Sequence, residues 1–485
     1  MFAGNFRWKF ARLMLLYLST VIKKAYFLLQ LWWWYSQSHK NCNSAVSKHM
    51  AVMNMAIPSE LNEDRISNLP WNVQDIIFGK LPLVDAVRTS VLAKEWRYKW
   101  LSLSEFTLNS DVVTSVRKAG DLKWEIVASI INKFLIHHSG PIKTFSLKTY
   151  CRTHYPDMYQ WFQYLSEQAV EVLIFEEFCR EPFEMPSHLF AFKKLKFLFL
   201  MNCSLQIPST FGKFNSLSEL ILREVSINDD DVEKLIIGCP HLLKLTLLSI
   251  SGLKQLRIRS SNLAGLLIDC GIQDIVVRSA PSLVMISIAI AFLGPGMVIT
   301  LNWYSVIRCL SGLISLEKLI LSGDFVKHLA NNYGLDNFPL RNDTLTSLIL
   351  HNIRFDAIEV FRVALSLLSS SPNIKNFRLV VESAKGPKLI TNFFKEIRGQ
   401  FCFSELQSMT VVYPMSVGMG STMNFIEFVI AHSPNLKFLN IEKGGTDMND
   451  IRAARMFARF NKLCPHAEIH YKHRERLLPY VCDDI

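Results

Sequence analysis

The stretch LSELILREVSINDDDVEKLIIGCPHLLKLTLLSI, residues 217–250, contains the same short pattern near both ends. LSELIL (217–222) and LLKLTL (242–247) each place apolar residues at their first, fourth and sixth positions. Alternation at the fourth and sixth positions is the period of a β-strand, whereas the intervening DDVEKLII has the spacing of a helix. A strand, a return segment and a second strand therefore predict a repeating unit whose strands pair in parallel.

This pattern recurs twelve times, and successive copies start 20 to 33 residues apart. The spacing is typical of leucine-rich repeats with some insertions, in which alternate strand residues point into one continuous core that neighbouring repeats share. The twelve segments are IKTFSL (142–147), VEVLIF (170–175), LKFLFL (195–200), LSELIL (217–222), LLKLTL (242–247), LAGLLI (263–268), LVMISI (283–288), LEKLIL (316–321), LTSLIL (345–350), IKNFRL (374–379), LQSMTV (406–411) and LKFLNI (436–441).

The return path between strands is predicted to vary along the array. Residues 126–138 and 424–432 have helical periodicity, whereas LKQLRI (253–258) and IQDIVV (272–277) alternate like extended segments. Asp229–Asp231 precede a helical stretch, where carboxylates favour the positive end of the helix, so we expect them to cap it.

A different organisation precedes the repeats, in DRISNLPWNVQDIIFGKLPLVDAVRTSVLAKEWRYKWLSL, residues 64–103. Leu69-Pro70 and Leu81-Pro82 predict two helix entrances, because proline is tolerated in a first helical turn. Leu92, Trp96 and Trp100 recur every four residues. A unit of about forty residues cannot bury this many large side chains alone, so the following domain or a partner must cover some of them.

These residues resemble a plant F-box, with a DRIS-type lead, two Leu-Pro pairs, AVRTSVL and WRYKW. The resemblance implies docking onto the Skp-type adaptor of a cullin-based ubiquitin ligase. For Ile77 and Trp96, a role in the core of the F-box itself remains an equal alternative. By position in the motif, the implied adaptor-binding residues are Leu69, Pro70, Ile76, Ile77, Leu81, Pro82, Val91 and Trp96.

The segment Phe401–Tyr471 resembles the FBD region of plant F-box/leucine-rich-repeat proteins, through FSELQSMTV, HSPNLKFLNI and CPHAEIHY. We therefore expect an α/β chain in which a three-helix F-box precedes a curved leucine-rich-repeat solenoid with a parallel sheet on its concave face. The expected divisions are a leader at 1–55, the F-box at 60–105, repeats at 120–400, FBD-like repeats at 401–475 and a tail at 476–485.

The net charge of +11 has an uneven distribution along the chain, because residues 1–50 carry seven basic and no acidic residues. The remaining residues carry only +4, which argues against a dedicated nucleic-acid-binding face. Lys23 and Lys24 divide the leader into apolar runs that are each too short to span a membrane. We expect the leader either to lie outside the working protein, given Met50, Met53 and Met55 as later starts, or to act in targeting.

Ten scattered cysteines without a CxxC pair favour reduced thiols in the cytoplasm or nucleus. Cys464, His466, His470 and His473 lack the paired spacing of structural zinc ligands, so no metal is expected. The loops LGPGM (293–297) and SVGMGS (416–421) lack the strand–helix context of phosphate sites. No cofactor and no catalytic residue are predicted.

The predicted function is that of a non-catalytic substrate receptor, which binds the adaptor and, through it, cullin while its repeats hold an unidentified target protein. The alternatives are a nucleic-acid-binding array and a membrane-tethered scaffold that uses the leader. Target contacts are expected at variable strand positions, some of them apolar, such as Phe197, Phe199 and Met201. The predicted target-binding residues are Lys196, Phe199, Glu219, Lys244, Thr246, Lys318 and Arg378, with Ser218, Glu317 and Asn376 as further candidates.

Overall fold

The computed structural model describes residues 69–81, 83–108, 124–149, 156–178, 181–289, 302–332, 340–383, 390–397, 399–413, 420–444 and 458–474. The predicted leader, Pro82, the loop LGPGM, most of the loop SVGMGS and the C-terminal tail lie outside these residues. The chain divides into two compact units, residues 1–75 and 76–485, and of the first only 69–75 are described.

The described residues form both helices and strands. The helices are α1 Trp71–Phe78, α2 Leu83–Thr89, α3 Trp124–His137, α4 Pro156–Glu167, α5 Asp229–Ile237, α6 Trp303–Ser311, α7 Gly323–Asn332, α8 Ile358–Ser369, α9 Ile390–Glu396, α10 Gly420–Ala431 and α11, residues 458–463.

The strands are β1 Glu105–Leu108, β2 Thr144–Thr149, β3 Val172–Glu177, β4 Phe183–Glu184, β5 Phe197–Met201, β6 Cys203–Ser204, β7 Glu219–Arg223, β8 Lys244–Leu248, β9 Gln255–Arg259, β10 Gly265–Asp269, β11 Asp274–Ser279, β12 Met285–Ala289, β13 Lys318–Ser322, β14 Ser347–Arg354, β15 Asn376–Ser383, β16 Ser408–Tyr413, β17 Phe438–Gly444 and β18 Glu468–Arg474.

Fourteen of these strands form one parallel sheet in the order β1-β2-β3-β5-β7-β8-β10-β12-β13-β14-β15-β16-β17-β18. Each of the twelve predicted segments contributes one strand, which begins at the third residue of the segment. Two further strands, β1 and β18, extend the sheet at its two ends. The predicted parallel α/β repeat fold is therefore confirmed.

The core of the array is built by two residues from each strand. From β2 to β17 these core-facing residues are almost fully buried; Leu198 and Leu200 of β5, for example, are at most 1% exposed. In the strand register, Leu198 is paired with Leu220 of β7, and the following strands continue this pairing. Equivalent residues therefore stack from repeat to repeat. Residues between them stand on the opposite side of the sheet, which we call the open face.

The return segments follow the predicted division into helical and extended types. Helices α3 and α10 cover all but the last residue of each of the two stretches with helical periodicity. LKQLRI and IQDIVV form β9 and β11, which pair in parallel as a separate two-stranded sheet. The short repeats thus close without a helix, which fits their short spacing.

The acidic run 229–231 occupies the first turn of α5, but the cap is another residue. The Asn228 side chain accepts a hydrogen bond from the backbone N–H of Asp231 at 2.9 Å. Asp230 pairs with Arg257 of β9 at 2.8 Å. The run therefore stabilises the helix through its dipole and also links α5 to the neighbouring return strand.

The three helices expected before the repeats are two helices and two 3-10 turns, Lys94–Trp96 and Lys99–Ser102. In a continuous α-helix Trp96 and Trp100 would lie on one face, because they are four residues apart. Here Trp96 packs on Phe78 and Trp100 packs on Phe134. The 3-10 turns allow the chain to direct the two indoles to different partners.

Candidate docking surfaces

The first described residues hold a Leu-Pro pair at the start of α1. The backbone N–H groups of Val73 and Gln74 donate to the carbonyl oxygen of Pro70, and the Gln74 side chain donates to that of Leu69 at 2.9 Å. Pro70 and Trp71 are exposed, and Leu69 is half-buried. These contacts fix the helix entrance locally and leave the proline ring accessible.

From residue 76 onward, the F-box-like segment carries large apolar side chains on its surface. Ile76 is 65% exposed and Val91 is 75% exposed. Neighbouring segments add three further exposed apolar or aromatic side chains: Val87, Leu92 and Tyr98. Their exposure makes this segment a candidate for a protein contact.

The two buried tryptophans of this segment both pack against other aromatic rings of the chain. The Trp96 ring meets Phe78 edge-to-face at 5.2 Å between ring centroids. Trp100 packs on Phe134 of α3 at 6.2 Å, and Phe134 in turn packs on Phe106 of β1 at 4.4 Å. Trp100 thereby joins the F-box-like segment to the first repeat.

Backbone hydrogen bonds reinforce this junction. The N–H of Ser139 donates to the carbonyl oxygen of Leu101 at 3.1 Å, and the N–H of Lys143 donates to that of Ser104 at 2.8 Å. Because β1 follows directly and pairs with β2, no flexible linker separates the helical segment from the sheet.

The predicted adaptor-binding residues have different environments in the structure. Ile76, Val91 and Pro70 are exposed, whereas Leu69, Ile77 and Leu81 are half-buried. Trp96 is buried, and Pro82 lies outside the described residues. The adaptor contact of each residue stays a prediction. The structure adds Val87, Leu92 and Tyr98 as exposed side chains. The periodicity of the sequence did not show whether they are exposed or buried.

The open face brings together some of the residues predicted to bind a target. Phe199, Glu219, Lys244 and Thr246 lie half-buried on the adjacent strands β5, β7 and β8. In the register of these strands, Glu219 pairs with Lys244. The other predicted residues are farther along the sheet, because Lys318 lies on β13 and Arg378 on β15.

Two of the residues predicted to bind a target already form ion pairs within the chain. Lys196 contacts Glu171 at 2.7 Å between Nζ and Oε2, and this hydrogen bond lowers the pKa of the Glu171 carboxyl. Arg378 contacts Glu442 of β17 across the intervening strand at 3.4 Å. A target that uses either cation must compete with an existing carboxylate partner.

A largely apolar row crosses the open face, and two of its members, Phe199 and Thr246, were predicted to bind a target. The third residues of eight successive strands lie in register, and six of the eight are apolar. At one end Ile174, Phe199, Ile221 and Thr246 are half-buried, whereas the members from Leu267 onward are buried. We call this set the central row: Ile174, Phe199, Ile221, Thr246, Leu267, Ser287, Ile320 and Ile349.

Two carboxyl groups lie close together near the middle of the array. Burial raises the pKa of Asp269 at the end of β10, and the nearby carboxylate of Asp324 in the first turn of α7 raises it further. Two acids in proximity are not by themselves a catalytic arrangement.

The Cys/His cluster is spread over a turn and a strand. Cys464 is buried, and its Sγ lies 3.5 Å from Nε2 of the exposed His466. His470 stands on β18 beside Glu468 at 3.2 Å. Within the described ranges, no group of three or more His, Cys, Asp or Glu side chains is arranged to hold a metal ion. No helix in the same ranges is long and apolar enough to cross a bilayer.

Comparison with known proteins matches both parts of the chain. Residues 66–108 match the family model of the F-box domain. Residues 158–300 match the model for the leucine-rich repeats of FBD-associated F-box protein At5g56370. The F-box match thus covers the exposed apolar segment, and the repeat match covers the first half of the open face.

Similar proteins from Arabidopsis thaliana carry the same three regions in their names. F-box/FBD/LRR-repeat protein At1g13570 is 28% identical over 413 residues, which cover 84% of this chain and 98% of that protein. F-box/FBD/LRR-repeat protein At2g26030 is 29% identical over 42% of this chain and 47% of its own length. F-box/FBD/LRR-repeat protein At2g04230 is 29% identical over 38% of this chain and 42% of its own length.

Proposed function

We propose that this chain, an F-box protein of the F-box/FBD/LRR-repeat type, is the substrate-recognition subunit of a cullin-based ubiquitin ligase. The observation that carries the proposal is the group of exposed apolar side chains on the F-box segment, represented by Ile76 and Val91. Such anchors supply most of the binding energy of a protein interface when a partner buries them. The partner proposed for them is the Skp-type adaptor.

The contribution of such a subunit to ubiquitin transfer is proximity. A target held on the open face has a raised effective concentration next to the charged conjugating enzyme, without any reacting group from this chain. The junction through Trp100 and Phe134 supports this role, because it fixes the F-box segment to the first strand of the sheet. A firm junction limits the volume that a bound target explores.

The adaptor contact is tested with Ile76→Asp and Val91→Asp, separately and combined. Both side chains are largely exposed, so the fold should tolerate the changes, whereas a buried interface should not accept an unpaired carboxylate. We expect the double variant to bind the purified Skp-type adaptor at least about thirtyfold more weakly than the unchanged chain in a titration.

The matched control is Ile314→Asp, because Ile314 is 77% exposed and lies in the repeats. It should bind the adaptor as tightly as the unchanged chain. Undiminished adaptor binding by the double variant, and also by a variant with Leu69, Pro70, Leu81 and Pro82 replaced by alanine, would contradict the proposed function.

Target capture is tested on the accessible end of the central row. Phe199→Asp combined with Ile221→Asp places two carboxylates among half-buried apolar side chains on β5 and β7. Proximity labelling in plant cells should lose candidate targets with this variant and keep the adaptor and cullin. The Ile76/Val91 variant should show the reverse pattern, and identical labelling by both variants would contradict separate surfaces.

Point variants are preferable to deletion of residues 64–103. That deletion removes Trp100, which packs on Phe134 of the first repeat, and so exposes Phe134. An exposed core residue would itself attract proteins non-specifically. The point variants keep the junction intact.

The site of action that we propose is the cytoplasm or the nucleus. Cys203, Cys239 and Cys270 are free thiols, and burial raises the pKa of Cys239 and Cys270 to about 12. Buried protonated thiols are compatible with a reducing compartment. Imaging of the tagged full chain, with and without residues 1–49, tests this proposal and the role of the leader.

A further inference from the structure

The C-terminal end of the large sheet is an edge strand. β18 pairs with β17 over seven residues, from Glu468 to Arg474. Among the described residues, no strand pairs with the other side of β18. An edge strand of this length presents a row of backbone donors and acceptors that can template pairing with another strand.

The core is less well covered at this end than in the preceding repeats. The core-facing Ile469 and Tyr471 of β18 are half-buried. Their register partners on β17, Leu439 and Ile441, are each 1% exposed. Leu463, in the helix that precedes β18, is 40% exposed. Terminal repeats usually present a polar outer surface, so this end has the composition of a surface that another molecule covers.

The open-face side of β18 has a charge order that complements itself. Glu468, His470 and Lys472 alternate along the strand, with an acid before the histidine and a base after it. If two β18 strands pair antiparallel about His470, each Glu468 lies opposite Lys472 of the second copy. The same register places each Ile469 opposite Tyr471 of the second copy. Opposed residues in antiparallel strands are about 5 Å apart, so both pair types are in contact range.

We propose that β18 is a dimerisation edge, at which two copies of this chain pair antiparallel around a two-fold axis at His470. A two-fold axis perpendicular to the sheet keeps both open faces on the same side. The pairing forms two Glu468–Lys472 ion pairs and two Ile469–Tyr471 contacts, one of each on either side of the axis. A partner strand with charges of one sign could form ion pairs with only Glu468 or only Lys472. The mixed charges therefore favour a second copy of this chain as the occupant.

Sedimentation of the full chain tests the dimer. The unchanged chain should pass from monomer to dimer as its concentration rises. Glu468→Lys and Lys472→Glu each place like charges opposite one another at two positions, and each should weaken the dimer about tenfold or more. The combined variant, Glu468→Lys with Lys472→Glu, restores opposite charges and should dimerise within about threefold of the unchanged chain.

The matched control is Lys375→Glu, which makes the same change of charge at an exposed residue beside β15, three strands from the edge. It should leave the dimer unchanged. If the unchanged chain stays monomeric at every concentration, the proposal is overturned. This is the result expected if the rest of the chain or another protein covers β18. A double variant no better than the single variants would overturn the proposed register. The assay contains no adaptor, so its result is independent of the ligase role.

Discussion

Replacing Trp100 by alanine is expected to lower the free energy of unfolding by about 3–5 kcal/mol. The indole is 8% exposed and packs on Phe134, which also packs on Phe106. Phe106 continues the contact to Phe145 of β2 at 5.3 Å. Removing the indole leaves a cavity at the start of an aromatic chain that joins the F-box segment to the sheet. Urea unfolding followed by circular dichroism measures the change.

The control for Trp100 is Ile136→Ala on helix α3, which also carries Phe134. Ile136 is 75% exposed, so its replacement should change the free energy of unfolding by less than about 0.5 kcal/mol. Equal effects of Trp100→Ala and Ile136→Ala would show that the junction contributes no particular stability. A large effect of Trp100→Ala alone confirms that the F-box segment and the first repeat share one core.

Replacing Gly323 by alanine is expected to cost at least about 2 kcal/mol, although alanine is normally the better helix former. Gly323 begins α7 immediately after β13, where the chain passes the backbone of β14. An added Cβ would overlap the carbonyl oxygen of Asn352 and would lie 2.8 Å from its carbonyl carbon. Backbone cannot move aside as a flexible side chain can, so α7 or β14 must shift.

Gly312→Ala is the matched control, because it makes the same change of residue at the end of the preceding helix. There a Cβ would meet its nearest atom, the carbonyl oxygen of Cys309, at an ordinary 3.5 Å. We expect a change within about 1 kcal/mol, because the reduced entropy of the unfolded chain offsets small adjustments in the folded one. Thermal unfolding of both variants compares them directly, and similar melting temperatures would contradict the predicted clash.

The repeats were predictable from the sequence because their signal is both local and periodic. Each LxxLxL segment specifies where a strand begins and which of its residues face the core, and the structure follows all twelve. The strand β1 has the same pattern in LSEFTL (103–108), but this pattern overlaps the end of the F-box motif. Leu103 belongs to both the F-box motif and the repeat pattern. It was assigned to the F-box motif, so β1 was not predicted as a strand of the array.

In the F-box segment, exposed apolar side chains were harder to distinguish from buried ones by sequence alone. Trp96, Trp100 and Val91 are all large and apolar, and helical spacing gives them similar roles. In the structure Val91 is exposed and both tryptophans are buried. The difference depends on Phe78 and Phe134, which are distant from them in sequence. The same limit applies to Lys196, whose partner Glu171 belongs to another repeat.

The continuous strand register from β3 to β14 gives the side chains of the central row a regular spacing. Neighbouring strands of a sheet lie about 4.8 Å apart, and one turn of an α-helix rises about 5.4 Å. Residues on one side of an extended chain repeat about every 6.8 Å. Over four strand spacings, a helix laid across the sheet drifts out of step by about 2.4 Å and an extended chain by about 8 Å. Side chains such as Ile174, Phe199 and Ile221 are therefore spaced to meet successive turns of a helix.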